Sequence, residues 1–325
     1  MKLLFLPQTT ELGPASRHRV YQFLPALAKA GVQYEVSPAI LADEYADYFG
    51  GSKLIKLRHL PGIYSRRRRD VQRFPEFGAV FIQKQVFPLA WRLPGRIIYD
   101  FDDAVFGPAT ERVLRTSSLV FAGNEFLADY ARKFASRVVV MPTVVDTERF
   151  RPAPKSERPL TAGWIGSRTT MKYLESVVPA LKGYRLKVVS SLAPSFACEF
   201  EPWSLECEVE QVQAMDIGLA PLTDTMWERG KCGLKTLQYM ACGIPVIASP
   251  VGVQREMVER SGGGVLASSL DEWREKMRWL VGHSDGRREM GERGRRFVEQ
   301  NYSLSAWMLP WVTQLLGACE AKQIG

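Results

Sequence analysis

Residues 228–250 read ERGKCGLKTLQYMACGIPVIASP. Arg229, Lys231 and Lys235 crowd a glycine turn at which a short apolar helix begins. Gly243, Pro245 and a buried-looking strand, IPVIAS, follow at once. Leu234, Leu237 and Met240/Ala241 recur at three- and four-residue steps, so one helix face meets a sheet, while Lys235 and Gln238 share another face. Aligned peptide dipoles already place about half a positive charge at a helix N-terminus, so cations in the first turn are locally unfavourable. An anion held by the lysines and by the amides of residues 232–234 removes that conflict.

The stretch has counterparts along the chain. Short apolar, β-branched runs (KLLFLP, VQYEVS, AVFIQ, RIIYDF, SLVFAGN and RVVVMP) alternate with helix-length amphipathic segments in the first half. LTAGWIG, RLKVVSS, DIGLAPL, IPVIAS and GGVLAS repeat the scheme in the second half. Continuous apolar strands alternating with helices indicate parallel sheets covered on both faces. Residues 142–159, with prolines at 142, 152, 154 and 159 among charged residues, have a linker composition. After residue 270 the sequence reads as helices and a tail carrying Trp307 and Trp311. The expected fold class is α/β, with two doubly wound Rossmann-like domains at 1–150 and 151–300.

Composition sets bounds on function. The 325 residues are 46% hydrophobic and 24% charged, which suits a soluble globular chain. No apolar run approaches the ~18 residues of a membrane span, and the opening KLLFLP lacks the h-region and cleavage site of a signal peptide. A cytoplasmic protein is expected. Five scattered cysteines without a CxxC pair, and only three histidines, speak against a disulfide framework or a zinc centre.

The net charge of +8 is uneven. Residues 1–150 hold 21 Lys+Arg against 15 Asp+Glu, a balance of +6, and the remaining 22 and 20 leave +2. Residues 53–73, KLIKLRHLPGIYSRRRRDVQR, carry eight basic residues and one acid. A solvated helix or loop face explains such a run, and so does a surface for anionic lipid or a phosphorylated substrate, where each basic residue contributes about 1 kcal/mol. Nucleic acid is a third reading, but no recognisable nucleic-acid motif accompanies the patch.

Ligands of doubly wound sheets bind beyond the carboxyl ends of the strands, so the turns there hold the candidates. The first turn offers Gly13 and then Ser16, Arg17 and Arg19 on a helix. In the second half Gly166 and Ser167 follow a strand, with Arg168 and Lys172 at the next helix. Neither turn contains GxGxxG, and no Walker lysine motif occurs, which removes the main support for nicotinamide or P-loop chemistry. Arg168, Lys172, Arg229, Lys231 and Lys235 all sit at strand-to-helix turns of one domain, an arrangement suited to a diphosphate. In the first domain IIYDFDDAVFG ends a strand on Asp100, Asp102 and Asp103. These cap a turn, or Asp102 and Asp103 orient an acceptor hydroxyl and stabilise positive charge.

These motifs together resemble the retaining glycosyltransferases of the GT-B fold, family four (the group 1 transferases), over nearly the whole chain. CGLKTLQYMACGIPVIASPVG is similar to the family's glycine turn, helix and strand that grip the nucleotide-sugar donor. GWIGSRTTMKYLE lies where the family binds phosphate, with Lys172 as the following lysine. SLVFAGNEFLADYARKFASRVVVMPTVVDTERFRP resembles the close of the family's first domain. DIGLAPL and MGERGRRFVEQNYSLSAWM match its C-terminal features.

The resemblance implies two Rossmann-like domains facing a central cleft: an acceptor domain at 1–150 and a nucleotide-sugar domain at 151–300. The terminal helix, about 300–325, packs back on the first. It implies Gly166, Ser167, Arg168, Lys172, Lys231, Gly233, Leu234 and Lys235 at the donor diphosphate, and Gln238, Glu228 and Arg229 at ribose or sugar. Ser16, Arg17 and Arg19 fall to the acceptor, and Asp102 and Asp103 are the catalytic carboxylates. The family's two glutamates, eight residues apart, are replaced here by Gly230 and Gln238. The implied reaction is metal-independent transfer with retention from a nucleoside diphosphate sugar to a cell-surface glycan or lipid-linked acceptor, as in polysaccharide or lipopolysaccharide synthesis. Residues 53–73 then rest on the anionic inner face of the cytoplasmic membrane, and no nucleic acid is involved. A sugar-nucleotide epimerase or an inactive binding subunit on the same fold is the alternative.

Overall fold

The first strand, β1 (Lys2–Leu6), buries every side chain after Lys2, and such continuous burial requires cover on both faces of a sheet. The computed structural model describes residues 1–85, 87–154 and 158–320, and supplies that cover. Strands β2 (Gln33–Val36), β3 (Ala79–Gln83), β4 (Ile97–Phe101), β5 (Ser117–Ala122) and β6 (Val138–Val140) join β1 in one parallel sheet of order β2-β1-β3-β4-β5-β6. β3 and β4 are buried along their whole lengths, as central strands should be.

A second parallel sheet has the order β12-β11-β10-β7-β8-β9. Its strands are β7 (Thr161–Ile165), β8 (Arg185–Ser190), β9 (Glu199–Pro202), β10 (Ile217–Ala220), β11 (Val246–Ala248) and β12 (Gly264–Leu266). Parallel strands need a crossover between them, and described helices fill all of these except β3 to β4 and β8 to β9. Each sheet reverses its winding at one place, between β1 and β3 in the first and between β7 and β10 in the second. Helix starts follow local rules. Asn124 caps the helix Glu125–Ala131 by accepting from Leu127 N at 2.9 Å, and Ser269 and Glu272 form a capping box before Leu270–Gly282.

The chain divides into two compact units, whose bounds differ from a cut at residue 150. Residues from Val144 onward belong to the second unit. Gly230–Cys232 belong to the first, and so does the chain from Trp307. Trp311, inside the helix Leu304–Glu320, is 1% exposed and stacks on Phe23 with ring centroids 4.7 Å apart. Residues 155–157 of the expected linker and 321–325 of the expected terminal helix lie outside the described residues. No described helix is long and apolar enough to cross a membrane.

Candidate functional site

In the second unit the winding reversal puts the turn after β7 beside the segment after β10. Gly166 leads into a short 3₁₀ turn, Arg168–Thr170, and then into the helix Met171–Val177. Ser167 Oγ lies 2.9 Å from Thr169 Oγ1, and Thr170 Oγ1 donates to Ser167 O at 3.0 Å, which fixes the turn. From the other side comes the helix Leu234–Ala241, whose N-cap Gly233 is left-handed (φ 69°) and provides no side-chain cap. Lys235, half-buried, lays its stem along Gly166 and holds its ammonium 5.2 Å from the centre of the Trp164 ring. A Cβ at Gly166 would come 2.5 Å from the Trp164 ring and 2.7 Å from Lys235 Cε, so only glycine admits this packing. Arg168 and Lys172 are exposed on the same turn, with Lys172 Nζ 4.9 Å from the Tyr173 ring centre.

The expected ribose and sugar residues are engaged with protein. Glu228 is 3% exposed and accepts from both Tyr173 OH and Thr225 Oγ1. Burial alone would raise its carboxyl pKa, but these two donors, with a backbone hydrogen bond and the Lys172 charge, outweigh burial and hold it below the usual carboxylate range. The contact ties the helix Met226–Arg229 to the helix that follows Gly166. Gln238 is 3% exposed, and its Nε2 donates to Glu208 Oε1 at 3.3 Å, because that helix face turns inward. Arg229 is exposed and pairs with Asp224, with Nε 2.6 Å from Oδ1.

Lys231 departs from the expected diphosphate set. It lies in the first unit, where its ammonium is 3.4 Å from Asp103 Oδ1. Asn124 holds this tripeptide, its Nδ2 donating to Gly230 O at 3.0 Å and to Lys231 O at 3.3 Å. Gly230 approaches Ala104 so closely that a Cβ would lie 2.7 Å from Ala104 N. This contact is the physical reason that a glutamate has no room there. Burial pushes the neighbouring Cys232 thiol up to about 12, so it stays protonated.

At the carboxyl end of β4 the three aspartates separate. Asp100 is fully buried and clamped by Arg19, whose Nε is 3.0 Å from both carboxylate oxygens. Arg19 Nη1 also donates to Met141 O at 2.6 Å, and the pair keeps the guanidinium charged against the opposing effect of burial. Asp103 accepts from Lys84, whose ammonium also lies 3.3 Å from Asp102 Oδ1. Burial works against both charges, yet Lys84 and Lys231 hold Asp103 below its ordinary value while Asp102 and Asp103 raise Lys84. Lys84 follows β3 with φ 53°, the one left-handed non-glycine among the described residues. Lys84 and Asn124 are the residues that motif reading missed. A lysine just past a strand beside an Asp-rich strand end was the available signal for the first, and the N-cap position in NEFLADYA for the second.

Ser16, Arg17 and Arg19 are internal, at 1%, 7% and 2% exposure. Ser16 Oγ donates to Gln83 Oε1 at 2.9 Å and accepts from Thr9 N at 3.1 Å, bridging the winding reversal between β1 and β3. Arg17 Nη1 donates to Glu11 O at 2.7 Å. Ser16 and Arg19 therefore hold the strand ends together, and their exposure does not suit direct contact with an acceptor. No cluster of three or more His, Cys, Asp or Glu able to hold a metal occurs among the described residues.

The turn, helix and strand that carry Glu228 to Gln238 fall within a segment, residues 174–283, that matches the family model "Glycosyl transferases group 1". That segment, about a third of the chain, resembles the group 1 glycosyl transferases. Solved structures share the fold over almost the whole length. Sucrose-phosphate synthase from Thermosynechococcus elongatus superposes with a TM-score of 0.72 at 14% identity, covering 98% of this chain and 100% of that one. HepE from Anabaena, solved in complex with UDP-glucose, gives 0.68 at 14% identity, covering 98% and 100%. WaaG, described as a glycosyltransferase involved in lipopolysaccharide biosynthesis, gives 0.67 at 13% identity, covering 97% and 99%. No curated protein matches the chain. The group 1 segment and these folds make it a GT-B protein with two Rossmann-like domains.

Proposed function

We propose that the protein transfers a sugar, with retention of configuration, from a nucleoside diphosphate sugar to a hydroxyl of a glycan or lipid-linked acceptor. The second unit is the donor domain. The observation that carries this reading is Lys235 laid across Gly166 at the winding reversal, beside the uncapped start of its own helix. Negative charge grows on the departing diphosphate as the sugar–phosphate bond breaks. A lysine and helix amides fixed before the reaction stabilise that charge more in the transition state than in the ground state. Arg168 and Lys172 add flexible cations from the Ser167 turn. Cations and amides fill the role that a carboxylate-held metal takes in other transferases, so transfer proceeds in EDTA. The complexes of HepE with UDP and UDP-glucose support a uridine nucleotide as the donor to try first.

The first unit takes the acceptor. Asp103 acts there as a carboxylate kept ionised by Lys84 and Lys231, able to accept from a hydroxyl and unable to donate a proton, and Asp102 stands beside it, 3.3 Å from the Lys84 ammonium. Gln83 Nε2, buried at the end of β3, has no hydrogen-bond acceptor among the described residues and suits a hydroxyl oxygen. Glu228 and Gln238 serve as positioning residues for the donor turn.

The test is thermal unfolding with UDP, GDP and ADP. A hundredfold excess over Kd stabilises the protein by about 2.7 kcal/mol. A rise with one nucleoside diphosphate is the expected result. No rise with any of them would overturn the donor-site assignment.

A further inference from the structure

The helix Lys53–Arg73 presents two unlike faces. One packs inward. Arg67 is 4% exposed and donates to Asp70, to Gln85 and to the carbonyls of Pro7 and Ser37. Arg66 donates to Ala39 O and Glu44, and His59 lies 3.9 Å from Glu44 and Asp47. Arg73 pairs with Glu35 and Glu76. Four of the residues that make 53–73 look uniformly basic and polar are thus occupied within the first unit.

The other face is apolar and uncovered. Leu54, Leu57, Leu60 and Tyr64 follow at three- and four-residue steps, so they stand in one row. They are 78%, 56%, 44% and 46% exposed. The row continues beyond the helix. Tyr64 meets Trp91 edge-on at 4.8 Å between ring centres, and Leu89 on the same loop is 63% exposed. That loop is held in shape by Arg112, whose Nη1 donates to Pro88 O at 3.0 Å and also to Leu89 O. Lys53, Arg58, Arg68, Arg69 and Arg92 are exposed around this strip.

We propose that this strip seats the protein on an anionic lipid bilayer. Leucines enter the headgroup boundary, Tyr64 and Trp91 lie at the interface, and the surrounding cations meet lipid phosphates. Large apolar side chains left in water beside exposed cations are the composition of an interfacial helix. A purely solvated face would not expose four large apolar side chains in one row. A nucleic-acid surface would place its aromatics among phosphate-facing cations without a leucine ridge. The assignment does not depend on the transferase reading.

Co-sedimentation of the full chain with phosphatidylcholine vesicles, with and without phosphatidylglycerol, tests it. Binding is expected to anionic vesicles and to weaken with salt, since screening shortens to ~8 Å at physiological ionic strength. Lys53→Glu with Arg58→Glu should lower partitioning about twenty-five-fold or more, from roughly fivefold per basic residue removed. Leu57→Ser with Leu60→Ser should lower it on the same anionic vesicles while circular dichroism and melting stay unchanged. Equal pelleting with neutral and anionic vesicles would overturn the proposal. So would leucine variants that bind anionic vesicles as the parent does, or the same variants losing binding to single-stranded RNA instead of vesicles.

Discussion

Replacing Lys235 by alanine separates catalysis from folding. In the folded chain the ammonium sits 5.2 Å from the Trp164 ring centre, a contact worth about 0.5–1 kcal/mol at a partly exposed site. Its loss is offset by two gains. Removing a cation from the first turn of the helix returns about 0.3–1 kcal/mol, and alanine is the better helix former by a few tenths. The balance is near zero, so the melting temperature should move by about 2 °C at most. Catalysis should behave otherwise. Losing one fixed group that stabilises developing charge costs about 3–4 kcal/mol, or 10²–10³ in rate. The assay is release of the nucleoside diphosphate from a sugar nucleotide identified by thermal shift, with calorimetric melting on the same preparation. An intact fold with a rate down a hundredfold or more is expected. A fully active variant would refute the diphosphate role. A variant that melts far lower would show that Lys235 serves mainly to pack Trp164.

Gly230→Ala forces a methyl to within 2.7 Å of Ala104 N and 2.8 Å of Ala104 Cβ, and urea unfolding should show a loss of about 1–3 kcal/mol; unchanged stability would mean that the tripeptide yields freely. Asp100→Asn strips the buried partner from Arg19 and should cost about 3–5 kcal/mol by the same measurement, whereas a loss below ~1 kcal/mol would show that the pair is easily replaced. Glu228 has a folded pKa below its unfolded value, so its stabilising contribution is complete above about pH 4.3 and lost as pH falls through the lower folded value. Glu228→Gln should therefore melt lower than the parent at neutral pH and approach it near pH 3, and parallel curves across that range would refute the assignment.

The sheets were largely legible because parallel strands buried on both faces must be apolar along their whole length. KLLFL, AVFIQ and IIYDF announce themselves in that way. β9 (Glu199–Pro202, EFEP) did not, because an edge strand leaves its flanks in water and here alternates glutamates with an apolar residue and a proline. The placing of Gly166 and Lys235 at strand-to-helix junctions was legible, whatever the details of packing. Burial was not. Ser16 and Arg19 carry polar chemistry at a strand end, and only the contacts reveal that Gln83 and Asp100 absorb it. Lys231 stands four residues before Lys235, and nothing in that spacing says that a left-handed Gly233 sends the two to different partners.

The chain passes from one unit to the other after Thr143, Arg229, Cys232 and Ala306. That routing bears on how such a protein diverges and how it can be recombined. A hybrid that grafts a donor domain from a relative by a single junction in the proline-rich stretch would import a foreign tripeptide against Ala104 and Asn124. Its first unit would keep a seat shaped for glycine and receive whatever residue the relative carries. Substitutions at 104, 124 and 230 are therefore expected to change together among homologues, and a functioning chimera would carry residues 230–232 and the chain from Trp307 with the first unit.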